Sequence, residues 1–126
     1  MKTIFLSSPY SSPDHAIVTK RVRLTGDCCA WLHRAKYLPM SPIVHWHDLA
    51  TRHGLPGNAE AWIDWNRAWV RASDAVVCLH LPGWESSVGM AMECQWARDA
   101  DIPIHVIEID ADEQFRWAID APGNNG

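Results

Sequence analysis

The chain has 126 residues, 48% of them hydrophobic, which is enough for one globular domain with a single buried core. A formal charge of −4 and a pI near 5.9, with no stripe of Lys and Arg along any segment, exclude a binder of the nucleic-acid backbone. No segment approaches the roughly 18 to 20 apolar residues of a membrane span, and the apolar run in MKTIFLSSPYSS is too short for a secretory leader, so a cytoplasmic protein is expected.

In chain order, TIFLS (Thr3 to Ser7) is a short apolar, β-branched run that predicts a strand, and SPYSSPD ends it in a loop able to cap a helix. A helix is predicted from about Pro13, with Ser12 as N-cap and Pro13 at its first position. Ile17, Val18, Val22, Leu24, Cys28, Cys29 and Leu32 recur near helical spacing, and Gly26 is expected to kink this helix or split it. MSPIVHW reads as a second strand, and GLPGNAEAW as a break before a helix from about Ala59 to Arg71. SDAVVCLHL is the clearest strand, near-continuously apolar from Ala75 to Leu81, as a strand covered on both faces should be. A helix from about Ser87 follows, then IPIHVIEI as a fourth strand, a short amphipathic helix around Asp112 to Ile119, and a frayed tail, APGNNG. Cys28, Cys29, Cys78 and Cys94 lack CxxC spacing and sit in apolar contexts, which marks them as reduced core thiols.

Alternating strands and helices predict one domain over residues 1–126: a three-layer, doubly wound α/β fold with a mostly parallel sheet of four to five strands. In such sheets ligands bind beyond the carboxyl ends of the strands, where strand order reverses. The loops SSPYSS and PGWESS qualify. Both are rich in serine, and the second leads into a helix N-terminus, so hydroxyls and free N–H groups can converge on a phosphate or carboxylate or simply cap the helices.

Two polar residues fall on inward helix stripes. Glu93 has Gly89, Met90, Trp96 and Ala97 one turn away, and Asn66 has Trp62, Ile63, Trp69 and Val70. Asp64, among Glu60, Ala61, Arg67 and Ala68, lies on a solvated face with an i,i+3 ion pair available to Arg67. An unpartnered polar group inside a protein costs on the order of 1 to 3 kcal/mol and a charge more, so Glu93 and Asn66 either satisfy each other or face a cleft. For Glu93 the plainer alternative is a pairing with Arg98. His45 and His47 alternate along the predicted second strand and so share a face, but no third ligand stands at a telling spacing, and no metal is expected.

IFLSSPYSSPD and SDAVVCLHLPGWESSVGMAMECQWARDADIPI, in that order, resemble the nucleoside 2-deoxyribosyltransferase superfamily over most of residues 3–108. The nearest likeness is to its DUF1937-type branch, with the signature PGW-x-x-S-x-G-x-x-x-E. The superfamily also contains 2'-deoxynucleoside 5'-monophosphate N-glycosidases and cytidylate hydrolases. The resemblance implies a flavodoxin- or Rossmann-like fold, no cofactor, a nucleoside or nucleotide as small-molecule ligand, and a homodimer or higher homo-oligomer. It places Glu93 on the family's nucleophile, which attacks C1' of the sugar. Ser87 falls where the phosphate-binding hydrolases keep a serine, with Gly89 two residues on. Ser7, Ser8, Tyr10 and Ser11 fall on the loop that contacts the sugar or 5'-phosphate, with Tyr10 positioned to orient the substrate or Glu93. Trp84 is a candidate to stack the base. Asn66 falls where active relatives carry an aspartate that handles the sugar or the leaving base, and an amide can hydrogen-bond but cannot exchange a proton there. The expected activity is cleavage of the base–sugar bond of a nucleoside 5'-monophosphate. Base exchange, or nucleotide binding without catalysis, are the alternatives.

Overall fold

The computed structural model describes residues 1–56 and 59–123. Its elements run β1 (Thr3–Ser7), α1 (His15–Arg34), β2 (Leu38–Met40), α2 (Pro42–His53), α3 (Ala59–Ala72), β3 (Ala75–His80), α4 (Val88–Asp99), β4 (Ile104–Ile109) and β5 (Phe115–Trp117). The five strands lie in the order β2-β1-β3-β4-β5, parallel except for β5, which gives the flavodoxin-like three-layer fold expected.

β3 explains its own composition. Ala75, Val77 and Leu79 pack with Ile4, Leu6, Leu24, Cys28 and Leu32 on the α1 side, while Val76 and Cys78 pack with Phe5, Val70, Met90 and Ala97 under α3 and α4. Both faces are covered, so every residue from Ala75 to Leu79 is buried. At its head, Asp74 accepts from the Thr3 N–H at 2.8 Å and the Thr3 hydroxyl at 3.1 Å, which pins the starts of β1 and β3 together.

Four local expectations are corrected. The cap of α1 is Asp14, whose carboxylate accepts from the Ala16 N–H at 2.9 Å; Ser12 instead accepts from the Asp14 N–H, so the helix begins two residues later than Pro13. The helix then runs unbroken through Gly26. MSPIVHW is mostly helix: β2 stops at Met40, Ser41 Oγ accepts from the Val44 N–H, Pro42 opens α2, and Gly54 closes it in the left-handed conformation at φ 62°. Ile43, Trp46 and Ala50 recur at helical spacing along it, and all three are partly buried. Lastly, the segment around 112–119 is a strand. Asp110 accepts from the N–H groups of Asp112 and Gln114 and so forms the turn, after which Phe115 and Trp117 alternate inward and Arg116 outward to Glu108 at 2.8 Å.

Of the tail expected to fray, Pro122 is buried and its carbonyl accepts from the Tyr37 hydroxyl at 2.5 Å. Residues 124–126 lie outside the described residues, as do Gly57 and Asn58 of the predicted break. All four cysteines are free thiols, Cys28 and Cys78 buried, with the sulfurs of Cys78 and Cys94 at 3.2 Å.

Candidate functional site

Strand order reverses between β1 and β3, and the loops leaving their carboxyl ends form two walls of a cavity of about 340 Å³. α2 and α3 supply a third wall, and the first turns of α4 close it.

Glu93 belongs to the buried face of α4, with Met90 one turn before it and Ala97 one turn after. It is 6% exposed, yet it lies on the cavity wall. The fully buried Ser7, last residue of β1, donates to its Oε1 at 2.6 Å, and Asn66 Nδ2 donates to its Oε2 at 3.3 Å. Removal from water, helped by the neighbouring Cys94, pushes the carboxyl up to about 8, against the opposite pull of the hydrogen bonds from Ser7 and Asn66. Arg98, a possible partner on sequence grounds, donates instead to Gln95 at 3.2 Å. Three residues far apart in the chain thus meet as one acceptor with two donors. Asn66 Oδ1 is buried and without a partner.

Ser8, Tyr10, Ser11, Ser87 and Gly89 all reach the cavity. Ser87 also caps α4, accepting from the Met90 N–H at 3.3 Å, and a Cβ on Gly89 would meet only open space. Tyr10 does not touch Glu93; its hydroxyl pairs with His47 Nδ1 at 2.7 Å. Ser7 is not among the lining residues and lies behind the cavity wall, bonded to Glu93. Trp84 is turned away from the cavity and stacked on His80, ring centres 3.6 Å apart and planes at 3°. The aromatic side chains that do line the cavity are on α2 and α3, Trp46 and Trp62, with ring centres 4.5 Å apart.

The histidine pair expected to share a strand face sits on a helix, where two residues are about 200° apart. His45 stacks on Trp65 at 5.4 Å and 18°, and His47 turns to Tyr10. Among the described residues no group of three His, Cys, Asp or Glu is placed to hold a metal ion. Asp64 is exposed as expected, while Arg67 lies over the Trp96 ring at 5.1 Å rather than beside it as an ion pair.

Sequence reasoning missed Arg21 and the Trp46–Trp62 wall, and weighed His47 only as a metal ligand beside His45. Arg21 crosses between the loops, Nη1 donating to the Ser11 carbonyl at 2.9 Å and Nη2 to the Pro82 carbonyl at 3.0 Å; its Nε is buried without a partner. The signal was available. Leu24, Thr25, Cys28 and Leu32 are the buried stripe of α1, and Arg21 stands three, four and seven residues before the first three. The inspection of helical neighbours that singles out Glu93 applies equally to Arg21.

The fold and the cavity define a doubly wound α/β domain with a cavity at its switch point and a buried carboxyl group on the cavity wall. DUF1937, a domain of unknown function, matches residues 2–109, and the chain belongs to that family. No curated protein matches it. No helix among the described residues is long and apolar enough to cross a membrane.

Proposed function

We propose that this protein is an N-glycosidase that cleaves the base–sugar bond of a nucleoside 5'-monophosphate through a covalent intermediate on Glu93. The observation that carries the reading is a lone carboxyl, buried at the wall of a cavity and held by two neutral donors, Ser7 and Asn66. Burying a carboxyl costs stability, and among the described residues no ion pair offsets it, as expected of a group kept for chemistry. The cavity volume falls in the range of small-molecule sites. Trp46 and Trp62 suit a planar base, and Arg21, the two serine-bearing loops and the start of α4 suit a phosphate. The resemblance to nucleoside 2-deoxyribosyltransferases and nucleotide N-glycosidases, carried by Ser87, Gly89 and Glu93, supports the same chemistry.

In this reaction Glu93 attacks C1', the C1'–N bond breaks, and its electron pair leaves with the base through an oxocarbenium-like state. Water then attacks C1' and frees Glu93. Asn66, standing where active relatives carry aspartate, favours a second reading, a nucleotide-binding module of the same fold without turnover. Incubation of the protein and its Glu93→Ala variant with the eight common nucleoside 5'-monophosphates separates them. Free base from the wild type alone supports hydrolysis; free base only when a second base is supplied means transfer. No base from either protein, with a nucleotide-induced rise in Tm, means binding without catalysis.

A further inference from the structure

A base leaving through nitrogen takes the bonding pair with it and needs a proton, and neither partner of Glu93 is fitted to supply one. Asn66 is an amide, and the Ser7 hydroxyl is already spent on Oε1 at 2.6 Å. Four titratable side chains reach the cavity: Tyr10, Arg21, His47 and Glu93. Glu93 is the nucleophile. A guanidinium is not a proton-transfer group, and that of Arg21 is bound to carbonyls of both loops. Burial raises the Tyr10 phenol above its usual range, which makes it a weaker acid. His47 remains, the residue type best suited to give and retake a proton near neutrality. Its ring is held by the Tyr10 hydroxyl on Nδ1 at 2.7 Å and by edge contact with the Tyr10 ring at 5.7 Å, while Nε2 bears no hydrogen bond among the described residues.

Resting on the N-glycosidase reading, we propose that His47 is its acid and base catalyst and that Tyr10 is the positioning residue that fixes the His47 ring. In the first step the imidazolium gives its Nε2 proton to the leaving base as Glu93 bonds to C1'. Nδ1–H donates to the Tyr10 oxygen before transfer. In the second step His47 takes a proton from water as the water oxygen bonds to C1' and the Glu93 ester bond breaks, which restores both groups. The acid thus comes from α2, a different element from the one at which active relatives place their aspartate, and a chain with Asn66 keeps a complete catalytic set.

The test compares two leaving groups: the nucleoside 5'-monophosphates, whose bases need a proton, and the 4-nitrophenyl riboside and 2-deoxyriboside 5-phosphates, whose phenolate does not. His47→Gln is expected to slow base release by roughly 10²- to 10⁴-fold while first-turnover release of 4-nitrophenolate stays within about threefold of wild type. That retained burst also shows that the variant is folded. Tyr10→Phe is expected to show the same selectivity at smaller amplitude, and His47→Asn repeats the comparison with a shorter polar side chain. Equal losses on both substrates in both His47 variants, or no loss on either, would overturn the assignment. A wild type that releases 4-nitrophenolate but no base keeps Glu93 as nucleophile and removes His47 as acid. A wild type that cleaves neither substrate sinks the glycosidase reading and this assignment with it.

Discussion

Glu93 shows how the burial of one carboxyl group makes the stability of a fold depend on pH. In the folded chain its carboxyl titrates at about 8, against 4.5 for the free group, and the main cause is loss of water. Below pH 4.5 both folded and unfolded chains hold the proton, so the residue adds no pH dependence. Between 4.5 and 8 the unfolded chain ionises while the folded one resists, so stability falls as pH rises; above 8 the loss is complete. Glu93→Gln, neutral throughout, is expected to gain on the wild type across that interval, reaching on the order of a few kcal/mol. Urea unfolding at mildly acidic and mildly alkaline pH reads the difference, and parallel curves for the two proteins would show that the carboxyl ionises normally. The same shift predicts that wild-type first-turnover release of 4-nitrophenolate, which needs the carboxylate but no proton donor, rises with pH through about 8.

Among the elements, the cavity depends on the two loops that leave β1 and β3, strands whose pairing runs to Ser7 and Cys78. Arg21 of α1 joins the loops through the Ser11 and Pro82 carbonyls, and Thr25, one turn on, adds a hydroxyl contact to Ser8 at 3.3 Å. Next to Pro82, Gly83 sits at φ 96°, where an L side chain is strained, and a Cβ there would run into the Arg21 guanidinium. Gly83→Ala is therefore expected to cost about 1 to 3 kcal/mol and to weaken nucleotide binding through displacement of Arg21. Thermal unfolding with and without nucleotide checks both effects, and an unchanged ligand-induced rise in Tm would show that the loops hold their places without Arg21. Little of this was legible in the residues. SSPYSS and PGWESS announce two loops, but that Arg21, ten residues beyond Ser11, joins them depends on how α1 packs over the sheet.

At the scale of the whole molecule, β5 lies beyond the residues that the family match covers, yet it completes the core. Trp117 packs edge-on against Tyr37 at 5.9 Å and tilted against Trp31 at 5.7 Å, beside the Tyr37 hydroxyl that holds Pro122. This cluster is on the α1 side of the sheet, and Glu93 approaches from the α4 side. Trp117→Ala is accordingly expected to destabilise the fold by about 2 to 3 kcal/mol, less than a fully buried tryptophan would, and to leave base release per folded molecule unchanged. Urea unfolding and the base-release assay on the same preparation test the separation; a loss of activity in fully folded protein would show that the two faces are coupled.

The sequence by itself determined the class of fold, the strands β1, β3 and β4, the helices α1, α3 and α4, and the inward placement of Glu93 and Asn66. These follow from periodicity, and a carboxyl or an amide on an apolar helix stripe is visible without coordinates. Two elements were misread because one local signal outweighed another: Ser41, Pro42 and Gly54 framed a helix where a strand was expected, and Asp110 folded a hairpin where an amphipathic helix was expected. Only the tertiary structure decided what Glu93 touches, that Trp84 turns away to His80, and that Tyr10, Arg21, Trp46 and His47 share one cavity. The physical reason is chain separation. Ser7 and Glu93 are 86 residues apart and Tyr10 and His47 are 37 apart, and contacts of that kind are set by strand order and helix packing, which no local pattern of residues records.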